Sequence, residues 1–354
     1  MRWFPLERPR AACQKSTTVS ALARIRRRHL ALAAVRAFFE ARGFLELDTP
    51  LLVPGPGLEP HIDPLAVDVR TTFGGPREQR WLITSPELAL KRLLATTPGL
   101  HKVFQLGHVF RDGERTARHL PEFTMLEWYR VGGTLADLVS DHEELFAHVA
   151  AALEVPAPRT PFASATLEEL FRAHAGLGLR AALVRMQDGE ATALVDDVRA
   201  RGASDASALR PGADFEDAFF HVMGAHVEPA IGRDRPAVVS RWPTSMAVLA
   251  KRCDDDPLFA ERFEVYAHVA GLGSLELSNA FAELTDPVEQ RTRFEQDNAK
   301  RRAMHKPALP LDEDFLAALA QLAPTAGCAL GFDRLLMFLG QQRDIDEVTA
   351  LPWR

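Results

Sequence analysis

The stretch that decides the fold is FRDGERTARHLPEFTMLEWYR, from Phe110 to Arg130. Strand-like sequence stands at both ends and a charged loop with one glycine lies between them, so the stretch predicts a long antiparallel hairpin. Arg111 can present a rigid guanidinium fork to a phosphate, and Phe123 on the returning strand can offer a flat face to an adenine ring. A surface hairpin with a charged tip is the simpler alternative.

The segments around the hairpin predict an α+β domain. Helical periodicity is found at about 23–42, 135–153, 215–226, 288–304 and 315–322, and strand-like runs at 103–111, 122–130, 237–241 and 275–282. Several strands follow one another before the chain returns to helix, which indicates a mostly antiparallel sheet flanked by helices. We expect an N-terminal arm at 1–22 and one domain at 23–354. The Ala-rich, Pro-punctuated stretch at about 155–212 is interpreted as an insertion.

Charge and cysteine content restrict the function classes. The sequence has 48 acidic and 42 basic side chains and a net charge of -6, which argues against a protein that mainly coats nucleic acid or an anionic membrane. Cys13, Cys253 and Cys328 lie too far apart for the paired spacings of a zinc site or a disulfide framework. No signal peptide or membrane-spanning run is found, so we expect a cytoplasmic location and no membrane partner. Arginines at 24, 26, 27 and 28 are interpreted as a solvated helix face.

A second motif is GCALGFDRLLMF, from Gly327 to Phe338. Its glycines, Gly327 and Gly331, let the backbone approach a ligand closely, and Arg334 lies near the start of an apolar helix. An arginine in that position suits a polyphosphate. A glycine-containing turn from strand to helix that binds nothing is the alternative.

A third motif, LELSNAFAEL at 275–284, carries carboxylates inside an apolar strand. Regular alternation predicts Leu277, Asn279, Phe281 and Glu283 on one face and Glu276 on the other. A buried carboxylate needs a partner. That partner is either a neighbouring Lys or Arg, or a cationic group of a substrate.

A fourth motif, ITSPELALKRLL at 83–94, contains a helix start at Ser85, Pro86 and Glu87. Proline suits an early helical position, and a carboxylate favours the positive end of the helix. Capping alone explains these residues. Alternatively, Glu87 lies at the rim of a pocket and holds an α-ammonium group.

Together and in this order, the motifs resemble the class II aminoacyl-tRNA synthetases of the lysyl subgroup, from about residue 25 onward. GFLELDTPLL with Pro50 is similar to the family's motif 1, which implies a homodimer; the hairpin and the glycine motif are similar to motifs 2 and 3. The resemblance implies a class II catalytic domain that uses ATP and Mg2+.

The resemblance also implies an ATP site. Arg111 and Arg334 would be the catalytic arginines, on the α-phosphate and the γ-phosphate, and Phe123 would stack on adenine. Glu264 and Glu276 would be the magnesium ligands. The other positions implied in ATP binding are Asp112, Gly113, Leu120, Leu277 and Gly331.

For the amino acid, the resemblance implies that Glu87 binds the α-ammonium group, while Tyr129 and Glu283 meet a side-chain ammonium. The remaining positions implied in this pocket are Ser85, Pro86, Glu127, Asn279 and Ala329. Attack of a carboxylate on the α-phosphate brings negative groups together, so the enzyme must neutralise charge and align the reactants. No Ser, Cys or His nucleophile is needed, and His119 is interpreted as a positioning or loop residue.

Lysyl-tRNA synthetases place an anticodon-binding domain before the catalytic domain, and here about twenty residues precede the first predicted helix. Anticodon-dependent tRNA binding is therefore not expected. With PEFTMLEWYR and FEQDNAKRRA, this architecture resembles the elongation factor P lysine ligases. That resemblance implies activation of (R)-β-lysine, or of lysine, and its transfer to a lysine side chain of elongation factor P.

Ala329 fits this paralogue group, since tRNA-charging members usually have glycine there. Gly113, Leu120 and Ala280 depart from the family pattern, which has glutamate, asparagine and glycine in their places. Two alternatives stay open. One is a free-standing paralogue that acts on another acceptor, and the other is a catalytically silent regulator that binds an amino acid or tRNA.

Overall fold

A computed structural model describes residues 20–353, so most of the predicted N-terminal arm, with Cys13, lies outside the described residues. The strands in this range are β1 Leu45–Glu46, β2 Leu52–Val53, β3 Ala66–Val69, β4 Glu78–Leu82, β5 Lys102–Phe110, β6 Glu122–Val131, β7 Ala163–Thr166, β8 Ala237–Pro243, β9 Phe259–Val269, β10 Gly273–Ala282 and β11 Thr325–Gly331. The main sheet has the order β1-β5-β6-β11-β10-β9-β8-β7, and a small sheet has the order β2-β4-β3.

The main sheet is antiparallel except at its two edges, where β1 pairs with β5 and β7 pairs with β8 in parallel. The predicted hairpin is confirmed, because β5 and β6 pair from Lys102 opposite Arg130 to Phe110 opposite Glu122. An antiparallel sheet flanked by helices is the α+β arrangement that the order of the sequence patterns predicted.

Capping residues in the sequence mark the start of two of the helices. Thr134 and Asp137 form a capping box at the start of the third helix, and Asp286 caps the ninth, whose first residue is Pro287. No helix among residues 20–353 is long and apolar enough to cross a membrane. The helices are α1 Ala21–Glu40, α2 Glu87–Thr96, α3 Leu135–Ala152, α4 Leu167–Leu170, α5 Leu179–Gln187, α6 Ala193–Ala200, α7 Ala203–Ala208, α8 Phe215–Val222, α9 Pro287–Ala303, α10 Glu313–Leu319 and α11 Phe332–Gly340.

One face of the main sheet carries the principal core. Phe39 of α1 stacks on Phe104 of β5 with 4.9 Å between ring centroids, and it also packs on Trp128 of β6. Phe146 of α3 and Leu336 of α11 belong to the same buried cluster. Because side chains alternate along a strand, the neighbours of Trp128, at 127 and 129, project from the opposite face of the sheet.

The helices α4 to α8 form a second layer with its own core, packed against β7, β8 and β9. This helical layer lies between β7 and β8 in the chain and includes the π-helical turn Met223–Val227 that follows α8. It therefore overlaps the predicted insertion at 155–212, but that range also includes the edge strand β7. The predicted boundaries of the insertion stay a prediction.

Two predictions from the sequence are wrong. Arg28 does not lie on a solvated helix face: it is mostly buried, its Nη1 is 2.5 Å from Asp333 Oδ1, and its Nη2 donates to Thr124 Oγ1. Strand β10 does not alternate regularly, because the pairing with β9 shifts between Glu276 and Ser278. Leu277 is the extra residue of a β-bulge, and it lies in the principal core.

Candidate active site

The floor of the candidate active site is a row of residues on four neighbouring strands. Glu127 of β6 lies opposite Ala329 of β11, Ala329 lies opposite Asn279 of β10, and Asn279 lies opposite Glu264 of β9. Strands in a sheet are about 4.8 Å apart, so the row spans about 14 Å. The structure thus brings four predicted site residues from four separate segments onto one face.

A second row runs beside the first, from Tyr129 through Gly327 to Phe281. Tyr129 is buried, and both it and Glu283 lie directly over Gly327. A Cβ atom at 327 would be 2.3 Å from Tyr129 Cε1 and 2.4 Å from Glu283 Oε1. Glycine at this position is therefore what allows the two side chains to lie over the strand.

Three carboxylates and one ammonium group form the deep part of the pocket. Lys91 of α2 is fully buried; its Nζ is 2.5 Å from Glu87 Oε1 and also contacts Glu283 Oε2. Glu283 Oε1 is buried and accepts no hydrogen bond from the described residues. Burial raises the pKa of Glu283 well above its usual range, although Lys91 opposes this shift.

Glu127 is the third carboxylate. Ser85 Oγ donates to its Oε1 at 2.5 Å, and Tyr129 Oη donates to its Oε2 at 3.2 Å. Burial, helped by the charge of Glu87, raises the pKa of Glu127 to about 8. With one lysine among three carboxylates, the pocket has an excess of acidic groups, and a bound cation would lower its electrostatic energy.

The phosphate side of the site contains the two predicted catalytic arginines. Arg111 follows β5 with its guanidinium 5.1 Å from the ring centre of Phe123, and its buried Nε has no hydrogen-bond partner among the described residues. Arg334, in the first turn of α11, donates to the backbone oxygen of Glu276 at 2.9 Å and contacts His119 Nε2. Both guanidinium groups keep donors for a phosphate.

His119 holds this arrangement in place. Its Nδ1 is 2.8 Å from Thr116 Oγ1, and its Nε2 lies against Arg334. Burial and the charges of Arg334, Arg111 and Arg118 lower the pKa of His119 to about 2. The ring is neutral at physiological pH, so it accepts a hydrogen bond from Arg334 without adding positive charge.

The two predicted magnesium ligands lie on β9 and β10. Glu264 is buried and accepts hydrogen bonds from Arg262 and Tyr266, both at 2.6 Å. Glu276 is half-exposed, with its Oε2 3.5 Å from Arg334 Nη1. Burial, then repulsion by Glu276, raises the pKa of Glu264 to about 8. Two mutually repelling carboxylates fit a divalent cation with oxygen ligands.

The remaining predicted site residues separate into two groups. Leu120 and Leu277 lie in the principal core, so their side chains do not face the pocket, and only their backbone could touch a nucleotide. Ala329 packs beside Phe123. The others lie at the rim: Pro86 caps α2, Gly331 adjoins Arg334, and Asp112 and exposed Gly113, the latter at φ 74°, form the turn after β5.

Two residues of the site were not predicted from the sequence. Lys91 stands four residues after Glu87 on α2, a spacing that puts two side chains on the same helix face. That signal was present in the sequence. Arg262 donates to Asn279 Oδ1 at 3.0 Å as well as to Glu264. No local pattern marks Arg262, since its partners come from the fold.

Gly327→Ala should raise the KM for the amino acid by about tenfold or more. Overpacking a filled site costs about 1–3 kcal/mol, and here the displaced groups are Tyr129 and Glu283. Steady-state kinetics measure the effect, and the KM for ATP should stay within about twofold. Gly107→Ala on β5 is the matched control, because its Cβ would make only ordinary contacts, the nearest at 3.6 Å. Equal effects in the two variants would contradict the prediction.

This fold and this site define a class. The family of tRNA synthetases class II (D, K and N) matches residues 9–354. The chain belongs to this family, and it is a ligase that uses ATP.

The curated relatives are more specific. A protein from Haemophilus influenzae (strain PittGG), named "Elongation factor P--(R)-beta-lysine ligase", is 36% identical over 320 residues, which cover 90% of this chain and 91% of the relative. Proteins of the same name from Klebsiella pneumoniae (strain 342) and Vibrio vulnificus (strain YJ016) are 38% and 36% identical, over 92% and 94% of this chain and 93% and 97% of theirs. The chain belongs to the family of these ligases.

Proposed function

We propose that this protein activates (R)-β-lysine, or lysine, with ATP and transfers it to a lysine side chain of elongation factor P. The convergence of Glu87, Glu127 and Glu283 beneath Tyr129 is the observation that carries the proposal. The relatives that cover nearly the whole chain bear this activity in their name.

The amino-acid pocket selects a substrate with two ammonium groups. Glu283, whose buried Oε1 accepts no hydrogen bond within residues 20–353, binds the side-chain ammonium together with Tyr129. Glu87 at the start of α2 binds the ammonium near the carboxylate. A neutral side chain would leave Lys91 as the counter-charge of three carboxylates, and an uncompensated buried charge costs several kcal/mol. Ala329 and Asn279 complete the floor between Glu127 and Glu264.

The amino-acid site and the phosphate site lie at opposite ends of β10. Glu283 follows the end of the strand, Asn279 lies in its middle, and Glu276 with Arg334 lies toward its start. A lysine held by Glu283 can therefore point its carboxylate along the strand toward the arginines. This alignment makes attack on the α-phosphate effectively unimolecular.

The phosphate groups interact with Arg111 and Arg334, and the adenine ring stacks on Phe123. Glu264 and Glu276 would hold Mg2+, which supplies positive charge to the polyphosphate. As charge develops on the leaving pyrophosphate, the guanidinium groups stabilise it without reorganisation, because His119 and the backbone of Glu276 already fix Arg334. In this mechanism no side chain of the enzyme itself is acylated.

The second half-reaction needs an acceptor amine that attacks the carbonyl carbon of the aminoacyl-adenylate, so that an amide bond forms and AMP leaves. A lysine side chain on a protein loop supplies such an amine once it is deprotonated. We propose a homodimer, and a cytoplasmic location follows from a translation factor as the acceptor. With a net charge of -6, the chain lacks the general attraction that makes tRNA binding strong and salt-sensitive, so tRNA should be a poor acceptor.

The proposal predicts that the enzyme, ATP, Mg2+ and (R)-β-lysine will raise the mass of elongation factor P from the same cell by one lysyl unit at a single lysine. Intact-mass and peptide mass spectrometry measure this. ATP–pyrophosphate exchange, followed separately, reports activation alone and should require a lysine-like amino acid.

Two controls make the result specific. A factor whose modified lysine is replaced by arginine should gain no mass, and Arg334→Ala in the enzyme should slow both exchange and transfer, since a hydrogen bond to a charged group is worth about 1.5–3 kcal/mol. Efficient charging of tRNA without modification of the factor would make a minimal tRNA synthetase the better assignment. Absence of exchange with every lysine-like compound would contradict the enzymatic proposal.

A further inference from the structure

Two histidines and an aspartate meet in the helical layer, on elements that carry no part of the candidate active site. His221 lies near the end of α8, His226 lies in the π-helical turn Met223–Val227 that follows, and Asp205 lies on α7. Asp205 Oδ1 is 3.0 Å from Nε2 of each histidine. One potential ligand atom from each residue lies within 4.8 Å of the other two.

The π-helical turn is what brings the two histidines together. In an α-helix, residues five apart are about 140° apart around the axis and do not share a face. A π-helical turn repeats at i→i+5 and aligns them, and such turns occur often at functional sites. Here the rings of His221 and His226 are 5.9 Å apart and nearly perpendicular, at 88°, so both Nε2 atoms can face one oxygen.

Asp205 is the buried residue that anchors α7. The other residues of this six-residue helix, Ala203–Ala208, are not buried, and no side chain caps the helix start. A buried carboxylate is costly unless strong partners surround it. Arg201 donates its Nε to Asp205 Oδ2 at 2.8 Å, which leaves Oδ1 directed at the two imidazoles.

We propose that Asp205, His221 and His226 form a binding site for a divalent transition-metal ion such as Zn2+. Two imidazole nitrogens and one carboxylate oxygen are a common ligand set for this ion. Bonds of about 2.0–2.2 Å in a tetrahedral site place ligand atoms about 3.3 Å apart. The two separations of 3.0 Å between Asp205 Oδ1 and the imidazole nitrogens need to open only slightly, and the ligand atoms of the two histidines already lie within 4.8 Å of each other.

When a metal ion occupies the site, the proton of each neutral imidazole ring lies on Nδ1 and not on Nε2. Each ring presents an unprotonated Nε2 to the ion and carries its proton on Nδ1, so the ion replaces both hydrogen bonds to Asp205 Oδ1. Arg201 stays on the distal oxygen and orients the carboxylate as an outer-shell donor. Its positive charge lowers the affinity of the site, because like charges repel. The histidine side chains are 18% and 23% exposed, which leaves a fourth position open to water.

The ion would join α7 to α8 and the π-helical turn. Metal binding to the folded state alone adds directly to stability. The role is therefore structural: the ion would hold a short helix with little apolar contact against the rest of the helical layer. This site does not depend on the proposed ligase activity.

The test uses the full, untagged chain dialysed against Co2+ or Zn2+ in the presence of excess Mg2+, which occupies oxygen-ligand sites. We expect one equivalent of metal to be retained, visible d–d absorption of bound Co2+ that Zn2+ abolishes, and a rise in Tm of about 4 °C at a hundredfold excess over Kd. The His221→Asn, His226→Asn double variant should lose the equivalent, the absorption and the shift. His174→Asn, an exposed histidine of the same layer, should keep all three.

Equal metal content in the wild type and the double variant would overturn the proposal and leave an ion-paired cluster. If the double variant does not fold, the wild-type spectrum decides instead. Co2+ absorption typical of nitrogen ligands, titrating to one equivalent, supports the site, and its absence contradicts it. Normal ATP–pyrophosphate exchange in a chain that binds no Co2+ would separate this outcome from any failure of the proposed ligase function.

Discussion

Glu283→Gln should reduce kcat/KM for lysine in ATP–pyrophosphate exchange by roughly 100- to 5,000-fold, while the KM for ATP stays within about twofold. The amide keeps the shape of the carboxyl group but removes the charge that faces the substrate ammonium. Leaving a buried cation without its counter-ion costs about 3–5 kcal/mol, and each 1.36 kcal/mol corresponds to a factor of ten. In the variant, the remaining charge of Glu87 is already paired with Lys91.

Substrate comparison makes this prediction specific. Norleucine has a similar length but no side-chain ammonium, so the preference for lysine over norleucine should shrink by the same factor. Glu144→Gln on α3 is the matched control, because its carboxylate is exposed and pairs with Arg42 at the surface. Equal losses for ATP and for lysine would show that Glu283 supports the fold rather than the pocket.

Lys91→Met should lower the free energy of unfolding by about 3–5 kcal/mol at pH 7.5. Methionine fills a similar volume, but Glu87 and Glu283 would then face each other without a counter-ion inside the protein. Chemical denaturation measures the change. Lys251→Met, whose ion pairs with Asp254 and Glu261 are exposed, should cost at most about 1 kcal/mol.

The deficit of Lys91→Met should depend on pH. Burial raises the pKa of Glu283 well above that of an unfolded glutamate, which is about 4.3. Without Lys91, which opposes this shift, the pKa of Glu283 rises further, so between its wild-type and variant values only the folded variant keeps the proton. Stability then falls as pH rises through that window. The deficit relative to the wild type should therefore grow as pH rises above the pKa of wild-type Glu283, which denaturation of both proteins over a series of pH values measures.

A double variant tests whether the pair acts as a unit. Adding Glu283→Gln to Lys91→Met removes one of the two uncompensated carboxylates, so the combined loss of stability should be smaller than the sum of the single losses. Additive losses would mean that Lys91 and Glu283 contribute independently, which would contradict the role given to this ion pair.

The sequence predicted those parts of the fold and site that local signals determine. The hairpin of β5 and β6 is formed by one continuous stretch of sequence, and so is the strand-to-helix turn that carries Arg334. The family resemblance then placed Glu127, Asn279 and Glu264 in one site, and the register of four strands sets them side by side.

What the sequence did not predict depends on contacts between distant segments. The partner of Arg28 is Asp333, 305 residues away, so nothing near Arg28 distinguishes a buried ion pair from a solvated charge. The bulge in β10 arises from its pairing with β9, and regular alternation was the only available expectation. Leu120 was assigned to ATP binding by its place in a motif, but its apolar side chain is buried in the principal core.

Because of the bulge at Leu277, β10 could lose one residue at this position and still direct its other side chains to the same faces, which an ordinary strand could not. Ahead of it, Leu275 faces the core and Glu276 the ligand side; after it, Ser278 bonds His142 in the core and Asn279 returns to the ligand side. Loss of that one residue would leave every other side chain on its present face, whereas a one-residue change elsewhere in a strand inverts them all. Leu277 lies outside the regular ladder pairing. One residue can therefore be inserted or deleted at this position during evolution without moving the carboxylates on either side to the other face.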